Sequence, residues 1–140
     1  MKKTFRSVVI FMLCLSCAFS LASCKGGIDT KEAKSFINEF FDVIETGDYE
    51  TAKTFLHPER PADLEPFFTE IEKDENIDFQ QGIEIDRYVN FKSSYYDSTV
   101  DGSTYKPTIR TKVGDTAVTF TIEIVSNDNG YGIYNLDIDT

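Results

Sequence analysis

From Pro107 to Ile138 apolar and polar side chains alternate through two turn signals, and few chain topologies satisfy both. Gly114-Asp115 suits a two-residue hairpin turn, with glycine at the position that needs a positive φ. Such a turn sets Val113 opposite Thr116, Thr111 opposite Val118, Ile109 opposite Phe120 and Pro107 opposite Ile122. A five-residue loop over Ser126–Gly130 sets Val125 opposite Tyr131, and then Ile122 opposite Tyr134, Phe120 opposite Leu136 and Val118 opposite Ile138. Each turn independently puts the same residues on one face, and a one-residue slip in either would send them to solvent. The other face carries Lys106, Thr108, Arg110, Lys112, Thr119, Thr121, Glu123, Asn135 and Asp137, with Lys106 opposite Glu123 as a favourable cross-strand pair. Pro107 cannot donate to a ladder, so its strand is an edge or has its open side there.

A sheet with one apolar face needs a cover, and the earlier sequence supplies one. Ala33, Phe36, Ile37, Phe40, Phe41 and Ile44 recur at spacings of three and four, predicting a helix over Asp29–Glu45 with Asp29 as its cap and Glu32 completing a capping box. Thr46-Gly47-Asp48 ends it and starts a second helix, Tyr49–Leu56, closed by His57-Pro58. A third helix spans Pro61–Lys73, with Pro66 tolerable only in its first turn, and Asp74–Gln81 reads as an acidic, polar link. From Gly82 the period changes to two. Ile83, Ile85, Val89 and Phe91 predict a long strand bulged around Arg87-Tyr88. Ser93–Ser103 is ambiguous: Tyr95 and Tyr96 could start another strand, while Asp97–Ser103 reads as a loop. The predicted class is α+β, with three N-terminal helices packed on one face of a curved antiparallel sheet of four or five strands.

The chain opens with a basic run, Met1–Arg6, then 14 mostly apolar residues, Val8–Leu21, then Ala22-Ser23-Cys24. That is the layout of an export signal, and it is too short to span a bilayer, which takes about 20 apolar residues. Leu21-Ala22-Ser23-Cys24 resembles the lipobox of bacterial lipoproteins. The resemblance implies cleavage before Cys24 and acylation of its thiol. Cys14 and Cys17 then leave with the leader, and Cys24 is the only mature thiol, so no intrachain disulfide forms. The domain plan is a signal over 1–23, a lipidated tether over 24–29 and one domain over 30–140. The expected address is the bacterial cell envelope, lipid-anchored and extracytoplasmic, at the outer membrane where the source has two membranes. With Lys2, Lys3 and Arg6 set aside, 24 acidic residues face 11 basic ones, a net charge of −13. Such a chain repels phosphate backbones, which argues against nucleic acid as a partner.

Three helices followed by a curved antiparallel sheet is the order of the NTF2-like, cystatin-like α+β superfamily. The stretch Phe40–Leu56, with its long helix, Gly47-Asp48 break and apolar Ala52–Leu56 turn, is similar to the helix-one to helix-two junction of small exported members, as are the hairpins Ile109–Ile138. Such members often carry a tryptophan in the last strand; here Tyr134 or Leu136 stands in that stretch, because the chain has no Trp. Enzymatic members use His, Asp, Tyr or Arg pairs between sheet and helices, and no such pair transfers to this sequence residue by residue.

His57 is the lone imidazole and the one acid/base candidate, weighed against a helix-end ring that caps a carbonyl and faces water. One His cannot anchor zinc. Glu70, Glu72, Asp74, Glu75 and Asp78, or Asn127-Asp128-Asn129-Gly130, offer oxygens for calcium, but neither has the 12-residue helix-loop-helix pattern, and solvated surface or a turn accounts for both. Tyr88, Tyr95, Tyr96, Tyr105 and Tyr131 gather in the sheet half as a candidate binding surface, against the bland reading of strand propensity. No cofactor, metal or catalytic set is implied. The expected role is a lipid-anchored binding or assembly module, with membrane lipid held through Cys24 and an envelope protein or small ligand as partner. The alternatives are a small hydrolase or isomerase using His57 with a carboxylate, and a structural envelope protein.

Overall fold

A computed structural model describes residues 27–140. Cys24, and with it the whole leader, lies outside the described residues. Helix α1 (Thr30–Glu45) starts where Asp29 accepts hydrogen bonds from the Lys31 and Glu32 amides, and buries Ala33, Phe36, Ile37, Phe40, Phe41 and Ile44 along one face. Gly47 takes a positive φ of 72°. Asp48 then caps α2 (Tyr49–Ala52), accepting from the Thr51 amide. The expected second helix is α-helical only this far and tightens to a 3-10 turn over Lys53–Phe55. Helix α3 (Leu64–Glu75) begins three residues later than the sequence suggested, with Pro66 inside its first turn, and stops at left-handed Asn76.

Four strands follow: β1 (Ile83–Asp97), β2 (Gly102–Val113), β3 (Thr116–Asn127) and β4 (Gly130–Asp139). They form one antiparallel sheet in the order β1-β2-β3-β4. The three helices pack on one face of this open, curved sheet, the arrangement of NTF2-like, cystatin-like α+β domains. Phe120 is the hub, with its ring centroid 4.7 Å from that of Phe41 and 6.2 Å from that of Phe79.

The β2–β3 register is as expected, Ile109 facing Phe120 and Thr111 facing Val118. Buried Thr111 is satisfied by donating its hydroxyl to the Val118 carbonyl at 2.9 Å. The β3–β4 register differs. Asn127 pairs with Gly130 across a tight turn at Asp128-Asn129, and farther from the turn Phe120 faces Ile138 and Ile122 faces Leu136. Beside the turn the shift is by one residue, Val125 facing Gly132, which brings Ile133 to the buried face; beyond Glu123 it is by two, and Leu136 and Ile138 keep the side expected of them. An irregularity between Glu123 and Ile124 makes Tyr134 the extra residue of β4. Pro107 sits in an interior strand, not an edge. The β2–β3 ladder omits Lys106 and Pro107 instead, as a missing N–H requires. Glu123 is not paired with Lys106; it accepts from the Asn135 amide.

Two further expectations need correction. The acidic link holds Ile77 and Phe79, both buried, with the Phe79 amide donating to Glu72 at 3.0 Å. Tyr95 and Tyr96 end β1 rather than starting a new strand, and Ser103 lies in β2, leaving only a four-residue turn, Ser98–Asp101, between them.

Candidate functional site

Strand β1 is an edge strand with register shifts between Ile85 and Arg87, Tyr88 and Asn90, and Ser94 and Asp97. Each shift adds residues that disturb the alternation of faces. Across the second, Tyr88 faces Ile109 and Phe91 faces Pro107 on the inner side, a spacing of three where an unbroken strand needs two or four. The five tyrosines proposed from sequence therefore part company. Tyr105 is fully buried, Tyr88 and Tyr131 are half-buried, and only Tyr95 (80% exposed) and Tyr96 (64%) lie on the surface. Two residues missed as surface features join them, Val89 (51%) and Phe91 (59%). The signal that could have found them is a third bulge-compatible apolar pair after a strand already predicted to be bulged.

Behind Phe91 the aromatics continue inward. Its ring lies 6.0 Å from that of Tyr105, and the Lys34 ammonium of α1 sits 4.5 Å from the Tyr88 ring centroid. The hydroxyls of Tyr88 and Tyr105 are buried without a hydrogen-bond partner among the described residues. Burial, then the neighbouring Tyr105, pushes the Tyr88 phenol up to about 12, and burial also raises Tyr105. The sign follows: the neutral phenol favours the fold, so its contribution is complete below the unfolded value of about 10 and is lost as pH rises through about 12. In an alkaline absorbance titration, Tyr88→Phe is expected to delete a phenolate transition near 12 and to soften the loss of stability above pH ~10. An unchanged titration curve would show that Tyr88 meets water.

His57 does not face water; it is fully buried. Its backbone N–H donates to the Ile133 carbonyl at 2.8 Å, beside a parallel bridge from Leu56 to Ile133. The Glu59 amide donates to Nδ1 at 3.1 Å. Nε2 therefore carries the proton and lies 3.1 Å from both Asn127 Oδ1 and the Gly130 carbonyl. Asn127 donates in turn to Glu59 Oε2 at 2.7 Å and to the Val100 carbonyl at 2.8 Å, and Asn129 donates to Glu59 Oε1 at 3.0 Å. The Asn127 bond is the main reason the Glu59 carboxyl is held below the usual glutamate value. The oxygen-rich Asn127–Gly130 stretch thus receives and orients His57 and Glu59. Glu59 Oε2 also stands 3.6 Å from Nδ1, beyond hydrogen-bond range.

Beside this latch, a cleft of about 330 Å³ opens between α3 and β4, lined by Leu56, Arg60, Leu64, Phe67, Tyr134 and Leu136. The Arg60 guanidinium lies 4.5 Å from the Tyr134 ring centroid, and the His57 ring meets the same tyrosine edge-on at 5.5 Å. Arg60 and Asp63 give this mostly apolar cleft one cationic and one acidic group. Among the described residues, no three His, Cys, Asp or Glu side chains converge to hold a metal ion. No helix among them is long and apolar enough to cross a membrane. No protein-family model, no curated protein and no solved structure matches the chain.

Proposed function

We infer that this protein is a lipid-anchored, extracytoplasmic binding or assembly module in a bacterial envelope, tethered through Cys24. The observation that carries the binding role is the exposed set Val89, Phe91, Tyr95 and Tyr96 on the β1 edge, while the other large apolar side chains among the described residues are buried or half-buried. Exposed aromatics gathered at one edge mark a surface that is covered in use. The leader and Leu21-Ala22-Ser23-Cys24 support the tether. The test is labelled palmitate fed to a host that processes lipoproteins. Label is expected in the native chain and absent from Cys24→Ala, with the native chain in the membrane fraction and the variant in the soluble one. An unlabelled native chain with its leader still attached would overturn the reading.

A second reading, a small hydrolase or isomerase, draws on Glu59 standing 3.6 Å from His57 beside the Tyr134 cleft. It requires the imidazole to exchange its present hydrogen bonds for substrate. Turnover of a small ester or ketone that disappears in His57→Gln, at a temperature where that variant stays folded, would carry it. Failure of the native protein to turn over any such panel would sink it.

A further inference from the structure

The aromatic edge and the anchor point are neighbours. A methyl group placed on Gly27 would lie 2.9 Å from Cδ1 of Tyr95, so the described chain begins against the exposed ring. Three residues of chain reach at most about 11 Å, which keeps the Cys24 backbone within that distance of Gly27. A lipid on Cys24 therefore holds the β1 edge close to the bilayer surface, whatever path the tether takes.

The middle of this edge differs in charge from the rest, although Glu84, Asp86 and Asp97 lie at the ends of β1 and Asp101 accepts from the Tyr96 hydroxyl at 2.6 Å. In a chain with 24 carboxylates, neither Arg87–Tyr96 nor the whole of β2, Gly102–Val113, contains one. On the outer face of this hairpin Arg87 lies opposite Arg110 and Lys92 opposite Lys106. Like charges across a strand pair repel and cost stability unless an anion lies over them. Arg87 has a carboxylate at 3.7 Å, its own neighbour Asp86; Lys92, Lys106 and Arg110 have none in ion-pair range among the described residues.

The edge is also poorly built for another strand. Phe91 donates its N–H to its own neighbour, Asn90 Oδ1, at 2.8 Å. Ser94 donates to the Tyr96 carbonyl at 2.8 Å. With these groups satisfied locally and three irregularities in the strand, a docking chain would find no continuous row of partners.

We propose that the β1 edge docks on an anionic bilayer surface, with Val89, Phe91, Tyr95 and Tyr96 in the interfacial layer and Lys92, Lys106, Arg87 and Arg110 meeting lipid phosphates. The proposal deepens the anchored-module reading and rests on it for the nearness of the bilayer. Aromatic rings favour the headgroup boundary, and a basic patch is the usual second signal beside a lipid anchor. Edge docking fixes the orientation of the domain, turning the α3–β4 cleft toward whatever the module meets.

The test is deuterium exchange of the lipidated protein reconstituted in phosphatidylcholine vesicles, with and without one-third phosphatidylglycerol. Segment 88–97 is expected to exchange at least threefold more slowly on the anionic vesicles, with segment 131–138 of β4 unchanged. Lys92→Glu with Lys106→Glu abolishes the difference, as does Phe91→Ser with Tyr95→Ser. Equal exchange of 88–97 on both vesicles overturns the proposal. So does protection that grows with protein concentration in the absence of vesicles, which would assign the edge to a second copy. Should palmitate never enter position 24, the anchor reading fails separately, and the unlipidated chain is sedimented with the same vesicles. Salt-sensitive binding to the anionic set then still supports the edge, and no binding to either overturns it.

Discussion

Gly132→Ala is expected to cost about 3 kcal/mol or more of folding stability, among the larger effects available to a single methyl group. The added Cβ would stand 2.6 Å from the His57 amide nitrogen and 2.8 Å from both the Leu56 carbonyl carbon and the Phe55 carbonyl oxygen. All three are backbone atoms, so no side chain can swing away. Relief requires the Phe55–His57 segment to leave β4, breaking the bond from the His57 amide to the Ile133 carbonyl. The ring of His57 would leave with it, losing its own bonds to Asn127 Oδ1, which keeps the Asn129 amide, and to the Gly130 carbonyl. A buried polar group without a partner costs about 1–3 kcal/mol, so the clash and the lost bonds act in the same direction. Urea denaturation followed by far-ultraviolet circular dichroism measures the loss. A loss under about 1 kcal/mol would mean that the connector moves without harm and that the latch contributes little.

This latch was invisible in the sequence for a definite reason. His57 and its partners Asn127 and Gly130 are separated by 70 and 73 residues, and nothing local announces which polar side chains will meet across that distance. His57-Pro58 did announce the end of a helix, because that is a local steric rule. The turns divide in the same way. Gly114-Asp115 set the β2–β3 register correctly because only one tight turn fits, whereas Ser126–Gly130 allowed a five-residue loop or the tight Asp128-Asn129 turn that forms. The inner face stayed legible beyond Glu123, where a shift of two leaves Leu136 and Ile138 on their own side, but nearer the turn the shift is one and Ile133, not Tyr134, is buried. In β1 the bulges broke that protection, and Tyr88 and Phe91 share a face at a spacing no unbroken strand permits. Tyr105 went inside as the alternation through Pro107, Ile109 and Thr111 requires once β2 extends back to Gly102. Ile77 and Phe79 were hidden by their acidic neighbours, although a capped turn carries both into the core.

Phe120→Ala is expected to cost about 3–5 kcal/mol, whereas Phe91→Ala changes stability by no more than about 0.5 kcal/mol, although both residues are strand phenylalanines. Phe120 is fully buried, and its neighbours Phe41, on α1, and Phe79, on the 3-10 turn, belong to two separate elements. Those rings cannot both collapse into the space a truncation leaves, so a cavity persists beside the transfer loss. Phe91 loses one tilted contact with Tyr105 and otherwise exchanges exposed ring for exposed methyl. The comparison matters for function because a side chain that adds little to the fold is free to be chosen for what it touches outside. Equilibrium unfolding of the two variants, read by tyrosine fluorescence and circular dichroism together, settles the difference. Were Phe91→Ala to cost as much as Phe120→Ala, the β1 edge would belong to the core, and its aromatics would need no external partner to explain them.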